Sequence, residues 1–368
     1  MRFDTDVLIV GGGPAGLASA IAARSKGLSV IVADGASPPI TKTCGEGLLP
    51  DAVAALHKLG VVLGAADGHV LRGIAFDNGD AGVAAKFRGG VGLGVRREVL
   101  HHHMVERAEE CGVFFAWNTP VTGLCESGVV AGGNKVRARW VIGADGTRSR
   151  VRHWAGMEKS VSYAERFAFR QHYRAEAWSS FAEVHWSGAA QAYATPVGPE
   201  EICVALISDS SEVRGKEALR DFPKLLARLG DAPLTSSERG AMTRTSALRR
   251  VARGHVALVG DASGGVDAIS AEGLSLSFRQ ALALGDALQS GDLLQYERSH
   301  RQLLRRPRFM ANLLVFLAQQ KWIRQRTFQA MQAAPNIFDC MLAYHLGETR
   351  PLELAATGAQ FGWRFLMA

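Results

Sequence analysis

The chain is 368 residues long with a formal net charge of +7, enough for two domains and a large core. Its five cysteines, Cys44, Cys111, Cys125, Cys203 and Cys340, are scattered, odd in number and free of any C-x-x-C. That argues against a disulfide framework or a zinc site and makes a reducing cytoplasm the expected compartment. No apolar run reaches the roughly 18 residues of a membrane-spanning helix. The first apolar run leads straight into glycines, so it reads as a strand and not a leader peptide.

That run is Val7-Leu8-Ile9-Val10, four apolar residues in the manner of a buried parallel strand. Gly11, Gly13 and Gly16 follow at G-x-G-x-x-G spacing, with Pro14 and Ala15 opening an Ala-rich helix. In such a turn the first glycine permits the tight bend, the second admits a pyrophosphate and the third lets helix and strand pack closely. The helix N-terminus then offers free N–H groups to phosphate. A second strand, Val30–Ala33, ends at Asp34, where a carboxylate accepts hydrogen bonds from an adenosine ribose.

After a loop with Pro38 and Pro39 comes Cys44-Gly45-Glu46-Gly47, then a helix carrying Ala52, Val53, Leu56 and Leu59. Residues 69–88 read as strands, with a hairpin signal at Asn78-Gly79 that belongs to a different sheet. The α/β text resumes at Val95–Leu100, with a helix to about Cys111, a strand at Val113–Trp117, two short strands, and Trp140–Gly143 leading to Asp145 and Gly146. His101-His102-His103 resembles a metal cluster, but consecutive helical side chains diverge by about 100° and do not share one ion. From about Ser160 to Ile207 the pattern is period two, followed by a helix near Lys216–Leu229. A strand runs into Gly260-Asp261, Glu272-Gly273-Leu274 opens a long helix, and the remainder from about Leu293 is helical. The expected organisation has a discontinuous dinucleotide-binding domain (1–68, 92–158, 245–292), an inserted substrate domain (69–91, 159–244) and a helical region (293–368).

The nucleotide fold, Gly143-Ala144-Asp145-Gly146 and Gly260-Asp261-Ala262, in that order, resemble the flavoprotein monooxygenases of the p-hydroxybenzoate hydroxylase type, and more closely their geranylgeranyl-reductase-like relatives. The resemblance covers roughly residues 1–290. It implies an α/β fold: a glutathione-reductase-type Rossmann domain with an inserted antiparallel sheet. It implies that Gly11, Gly13, Pro14, Ala15, Gly16 and Asp34 hold the ADP half of FAD. Arg97, in an R-x-x-L pattern with Leu100, would reach the cofactor, and Asp145 and Gly146 would lie near its pyrophosphate. Gly260 and Asp261 would meet the ribityl and pyrophosphate side. Glu272, Gly273 and Leu274 would bring a helix N-terminus to the flavin ring. Ala268 stands where the family usually has Pro, and Ala271 where it usually has Gly. Glu272-Gly273 and Cys44-Gly45-Glu46-Gly47 match the reductase-like branch, where the latter segment lies beside the flavin. Cys44 is then either a redox or substrate contact or a small loop residue, and Glu46 either moves a proton or braces the turn.

The family's chemistry implies NADPH or NADH as a transient electron donor, since no second G-x-G-x-x-G provides it a domain. The expected reaction is hydroxylation of an aromatic or polyketide-like substrate through a flavin C4a-hydroperoxide. The alternatives are reduction of carbon–carbon double bonds and modification of a protein- or carrier-bound substrate. Arg170, His172, Tyr173, His185, Trp186 and Tyr193 are candidates to line the pocket, though period two turns half of such residues away. Phe309, Leu313, Phe316 and Leu317, with Trp322 and Ile323 beyond, form a face that packs on the flavin domain, closes over a hydrophobic substrate, or meets a membrane or carrier. Eight Lys or Arg and no Asp or Glu fall between Arg298 and Arg326. This is either a solvated helix face or a surface for an anionic partner. Without a nucleic-acid-binding motif, charge alone does not indicate nucleic acid.

Overall fold

The computed structural model describes residues 3–158, 160–188 and 190–367. The chain opens with β1 (Thr5–Val10), α1 (Pro14–Ser25) and β2 (Val30–Ala33). Next come β3 (Gly47–Leu48), α2 (Pro50–Lys58), β4 (His69–Leu71), β5 (Gly73–Asp77), β6 (Gly82–Lys86) and β7 (Gly92–Gly94). Then α3 (Arg97–Glu110), β8 (Phe114–Ala116), β9 (Val121–Cys125), β10 (Gly128–Ala131), β11 (Asn134–Gly143) and α4 (Arg150–Trp154) complete the first α/β portion. The inserted region holds β12 (Ser160–Tyr173), β13 (Phe181–Ser187), β14 (Ala190–Gly198), β15 (Glu201–Ser208), α5 (Gly215–Ala218), α6 (Pro223–Leu229) and β16 (Arg239–Leu248). The chain returns through β17 (Ala252–Arg253), β18 (Val256–Leu258) and β19 (Gly264–Gly265). It closes with α7 (Gly273–Ser290), α8 (Leu293–Gln319), α9 (Lys321–Ala333), α10 (Asn336–Leu346) and α11 (Pro351–Met367).

The first sheet has the order β17-β18-β11-β1-β2-β8, with β10 and β9 added beside β11. Its centre is parallel: Val7 to Val10 pair with Val30 to Ala33 on one side and Trp140 to Gly143 on the other. Val7, Leu8 and Ile9 are fully buried, as a strand covered on both faces requires. The second sheet, β19-β16-β12-β15-β14-β13-β5-β6, is largely antiparallel. The Asn78-Gly79 hairpin joins its edge through the parallel β5–β13 pair. His69–Leu71, expected with that sheet, instead pairs with β7 in a three-stranded sheet of order β3-β7-β4. The helix expected near Lys216–Leu229 is interrupted: α5 runs into a 3-10 turn at Leu219–Asp221 and α6 restarts at Pro223, which lacks the N–H an uninterrupted helix needs there.

The C-terminal helices divide their contacts. The start of α8 packs on the nucleotide domain, where Tyr296 donates to the Leu258 carbonyl at 2.7 Å. Further along, Leu314 and Leu317 join Phe76, Val184, Phe328 and Phe338 in a core against the second sheet. The apolar face anticipated in α8 is therefore split: Leu317 is buried, while Phe309 and Phe316 remain exposed.

Candidate active site

At the end of β1 the chain turns at Gly11, whose φ of +112° suits glycine alone. A Cβ on Gly11 would stand 2.5 Å from the Ala144 carbonyl oxygen, and one on Gly16 would stand 1.9 Å from the Gly11 carbonyl oxygen. These two glycines thus lock β1, α1 and the end of β11 together. Gly13 differs: a Cβ there would meet nothing within 4 Å, because it faces a cavity. The N-terminus of α1 has Pro14 in its first turn, no side-chain cap and no acidic residue, so its N–H groups and positive dipole end face outward. Asp34 accepts from the Gly12 N–H at 2.7 Å and the Ala36 N–H at 2.8 Å, which fixes the glycine turn to the end of β2. His101 clamps the same turn from α3, with its Nε2 2.9 Å from the Gly12 carbonyl oxygen. Burial holds His101 below the usual histidine range, so the ring is neutral. His102 pairs with Glu106 and His103 with Asp67, so the three histidines diverge as expected.

The cavity, about 340 Å³, begins at this turn. Its polar end is lined by Gly13, Pro14, Ala15, Lys42, Arg97, Gly146, Thr147 and Asp261. Arg97 is buried, and its Nε has no hydrogen-bond partner among the described residues; a buried guanidinium of that kind suits an anionic ligand. Asp261 pairs with Lys42 and accepts from Thr147 Oγ1 at 3.3 Å. Burial opposes its ionisation, but the Lys42 ammonium, Thr147 and Arg97 together keep the carboxyl below its ordinary range. Gly260 stands behind, its N–H donated to Gln280 at 2.8 Å. Asp145 does not reach the cavity. Its carboxylate accepts from Ser149 Oγ at 2.5 Å and from the Arg150 and Val151 N–H groups at 2.7 and 3.1 Å, capping α4. Its part in any pyrophosphate site is to shape the loop that presents Gly146.

Beyond lie Cys44, Gly45, Glu272, Gly273 and Leu274, all at the cavity wall. Gly45, Gly146 and Gly273, like Gly13, have open space where a Cβ would go. Ala271 occupies the left-handed region at φ +54°, which explains why glycine is usual there. The loop keeps that conformation with alanine, at a cost of about 1 kcal/mol. Glu46 is buried on an equally unusual φ of +58°. It accepts from the Arg97 N–H at 3.0 Å, binds Arg170, and sits 2.7 Å from His172 Nε2. Burial works against its charge, but His172, Arg170 and the Arg97 N–H together hold it below the ordinary glutamate range. Glu46 is therefore a fixed anion bracing α3 to β12. Glu46, His172 and Cys203 bring ligand atoms within 4.8 Å of one another. Their donors are already spent, however: the Arg170 guanidinium faces the carboxylate and Ser236 meets His172 Nδ1 at 2.7 Å.

The far end of the cavity is aliphatic and aromatic: Ile74, Phe76, Val184 and Ile207 from the second sheet, and Met310, Leu314, Phe338 and Leu342 from α8 and α10. Of the six strand residues expected as candidates, Tyr193 lines it, with its hydroxyl donated to the Ile269 carbonyl at 2.6 Å. Arg170 and His172 turn to Glu46, His185 meets Glu183 at 3.1 Å, Trp186 packs on Phe76 and Phe328, and Tyr173 joins a separate core. His345 of α10 also reaches the cavity and lies 3.7 Å from Glu272. No sequence motif marks His345. Only the return of α10 over the second sheet brings it there.

A glycine turn between parallel strands, a cradle bounded by three separated segments and an apolar pocket beyond it define an FAD-dependent oxidoreductase. Residues 4–292 match the family model described as FAD binding domain, and the chain belongs to that family. It is 28% identical over 316 residues to a menaquinone reductase of Mycobacterium tuberculosis (strain ATCC 25618 / H37Rv), covering 78% of this chain and 77% of that protein. It is 25% identical over 296 residues to a digeranylgeranylglycerophospholipid reductase of Methanocella arvoryzae, covering 74% of each. It is 27% identical over 328 residues to a ubiquinone hydroxylase of Rhodospirillum rubrum, covering 78% of this chain and 73% of that protein. In fold it is similar to a flavoprotein/dehydrogenase of Cytophaga hutchinsonii, at a TM-score of 0.85 and 17% identity over 99% of both chains. No helix among the described residues is long and apolar enough to cross a membrane.

Proposed function

We propose that the enzyme reduces a carbon–carbon double bond in the prenyl chain of a hydrophobic substrate, with NADPH or NADH as transient electron donor. The observation that carries this reading is the apolar far end of the cavity, walled by Ile74, Phe76, Val184, Ile207, Leu314, Phe338 and Leu342. Such walls suit a prenyl chain and offer little to orient a polar aromatic acid. The reductase names of two relatives support the same reading.

The residues fit FAD: open space in front of Gly13, Gly45, Gly146 and Gly273, and the unpaired Arg97 Nε, mark where a ligand belongs. Gly11, Gly13, Pro14, Ala15 and Gly16 would hold its ADP half with Asp34. Arg97, Gly146 and Asp261 would meet the phosphate and ribityl portion, with Asp145 and Gly260 shaping their loops. Cys44, Gly45, Glu272, Gly273 and Leu274 would meet the ring. FAD, once reduced, supplies hydride chemistry at that ring. The chain's own part is to exclude water, hold the double bond against the ring end and furnish the accompanying proton.

A second reading, hydroxylation of an aromatic head group, is favoured by the ubiquinone hydroxylase relative. An anionic partner at 298–326 is a further proposal, supported by the exposed Arg298, Arg301, Arg305, Arg306 and Lys321 on α8 and α9. Arg324 does not contribute, since it is buried and donates to the Leu317 and Ala318 carbonyls. The test is mass analysis of a short prenylated naphthoquinone after incubation with the holoenzyme and NADPH. Gain of two hydrogens in the chain supports reduction. Gain of one oxygen supports the second reading, and an unchanged compound with an active carrier-bound one supports modification of a carried substrate.

A further inference from the structure

Glu272 precedes the first turn of α7 and is 3% exposed. Its Oε2 has no hydrogen-bond partner among the described residues, and neither does Nδ1 of His345. Glu272 Oε1 and His345 Nε2 lie 3.7 Å apart, beyond a direct hydrogen bond and within reach of one through a bridging water or a small approach. Both line the cavity, at the boundary between its glycine-rich cradle and its apolar end. Unpaired polar atoms so deeply placed are costly unless a ligand or a reaction uses them.

The charged groups around the pair are Asp51 of α2 and Arg279 of α7. These satisfy each other and Ser275: Asp51 accepts from Ser275 Oγ at 2.5 Å and from Arg279 Nη1 at 3.2 Å. Arg279 therefore does little to neutralise Glu272. Burial, reinforced by Asp51, pushes the Glu272 carboxyl up to about 8, with Arg279 only partly opposing. Burial pushes His345 down to about 4. Near neutral pH the proton thus sits on the carboxyl and the imidazole is neutral. Glu272 contrasts with Glu46, the cavity's other buried glutamate, which three donors keep ionised.

We propose that Glu272 and His345 form the proton-delivery site for a substrate double bond, with Glu272 as the acid and His345 as its replenishing partner. The inference rests on the prenyl-reduction reading above. The π pair of the double bond forms a C–H bond at one carbon with the proton of the Glu272 carboxyl, the O–H bonding pair staying on the carboxylate, while bound reduced cofactor would supply a hydride to the electron-poor carbon this leaves. The new anion lies at the positive end of the α7 dipole, which stabilises it. His345 next takes a proton on Nδ1 from a solvent hydronium ion, which leaves as water, and passes the one on Nε2 to Glu272. The sum is one hydride and one proton added across one double bond.

Two measurements test this. Infrared difference spectra across a pH titration, on the protein with and without FAD, read the carboxyl directly. A protonated-carboxyl band present near neutral pH and missing in Glu272→Gln is expected; a parent without that band overturns the inference. The second is rapid mixing of anaerobically reduced holoenzyme with a short prenyl glycerol ether, which has no quinone ring and can oxidise the flavin only through its chain double bond. Glu272→Gln should slow substrate-driven reoxidation by about a hundredfold or more relative to its own flavin-reduction step. His345→Gln should slow it less and make it depend on added small acids. Reoxidation in Glu272→Gln at the parent's rate overturns the inference while leaving prenyl reduction standing. A parent that no prenyl compound reoxidises overturns both, and the infrared band then reports an acid without that role.

Discussion

The two ends of the cavity are built by opposite means. The glycine-lined end, proposed to hold the cofactor, is made of backbone: Gly13, Gly45, Gly146 and Gly273 present bare main chain, and side chains such as Asp34, Asp145 and His101 work from behind. The reacting end is made of side chains from the second sheet, α8 and α10. A backbone-built site tolerates little change where atoms already touch and rejects any added atom where the ligand goes. A side-chain-built site can be altered in shape and chemistry without losing the fold. One scaffold can thereby serve reductase and hydroxylase relatives.

The largest expected effect lies where the two ends join. Glu46→Ala strands the buried Arg170 guanidinium and should destabilise the protein by about 3–5 kcal/mol, measured by denaturant unfolding. The folded-state pKa of Glu46 is depressed, so its contribution is present above the unfolded carboxylate value of about 4.3 and lost as pH falls below it. The parent's acid lability should therefore be blunted in the variant. If both unfold alike, the bracing role assigned to Glu46 is wrong.

Gly13→Val sharpens the contrast within the cradle. The backbone there, at φ −73°, suits any residue and no atom lies within 4 Å. The apoprotein should keep its unfolding midpoint while FAD affinity falls more than about tenfold, or about 1.4 kcal/mol, by fluorescence titration. Gly16→Val should instead destabilise the fold itself, because its Cβ would land 1.9 Å from the Gly11 oxygen. Equal FAD affinity in Gly13→Val and parent would sink the assigned cradle.

At the reacting end, Glu272→Gln should raise stability in a pH-dependent way. The folded carboxyl titrates near 8, above its unfolded value of about 4.3, so the parent loses stability as pH rises between them. His345, at about 4 when folded and about 6.5 when unfolded, gives stability rising with pH, complete by about 6.5. Between about 6.5 and 8 the slope belongs to Glu272. The variant should become more stable than the parent across that window, by thermal melts at matched ionic strength. Parallel curves would contradict a protonated Glu272. The smallest effect is expected for Asp145→Ala, about 1 kcal/mol from the lost cap on α4, with FAD affinity changing only as Gly146 loosens.

The same contrast explains what the sequence disclosed. The β1–α1–β2 unit was legible because its constraints are local: an apolar run, three spaced glycines and an acid. The second sheet was legible as strands, but its facing residues were not. Arg170 and His172 turn to Glu46, whose place is set by a loop more than a hundred residues away. The break at Pro223 and the move of His69–Leu71 into the small sheet follow from backbone chemistry and tertiary pairing that period two does not carry. The α8 face also misled, since Leu317 is buried while Phe309 and Phe316 are exposed. Glu272 was legible as a candidate, and it lines the cavity, but its approach to His345 depends on the path of the helices after α7.

On the reading proposed above, the apolar end holds a prenyl double bond for reduction. It is tested most directly by anaerobic mixing of the reduced holoenzyme with a short prenyl glycerol ether, which has no quinone ring to accept electrons, and with its fully saturated-chain analogue, following the oxidised-flavin band. The account predicts oxygen-free reoxidation by the unsaturated compound, with a chain product carrying two more hydrogens, and a much slower response to the saturated one. Equal rates with both, no reoxidation by either, or product formed only when oxygen is admitted would contradict it.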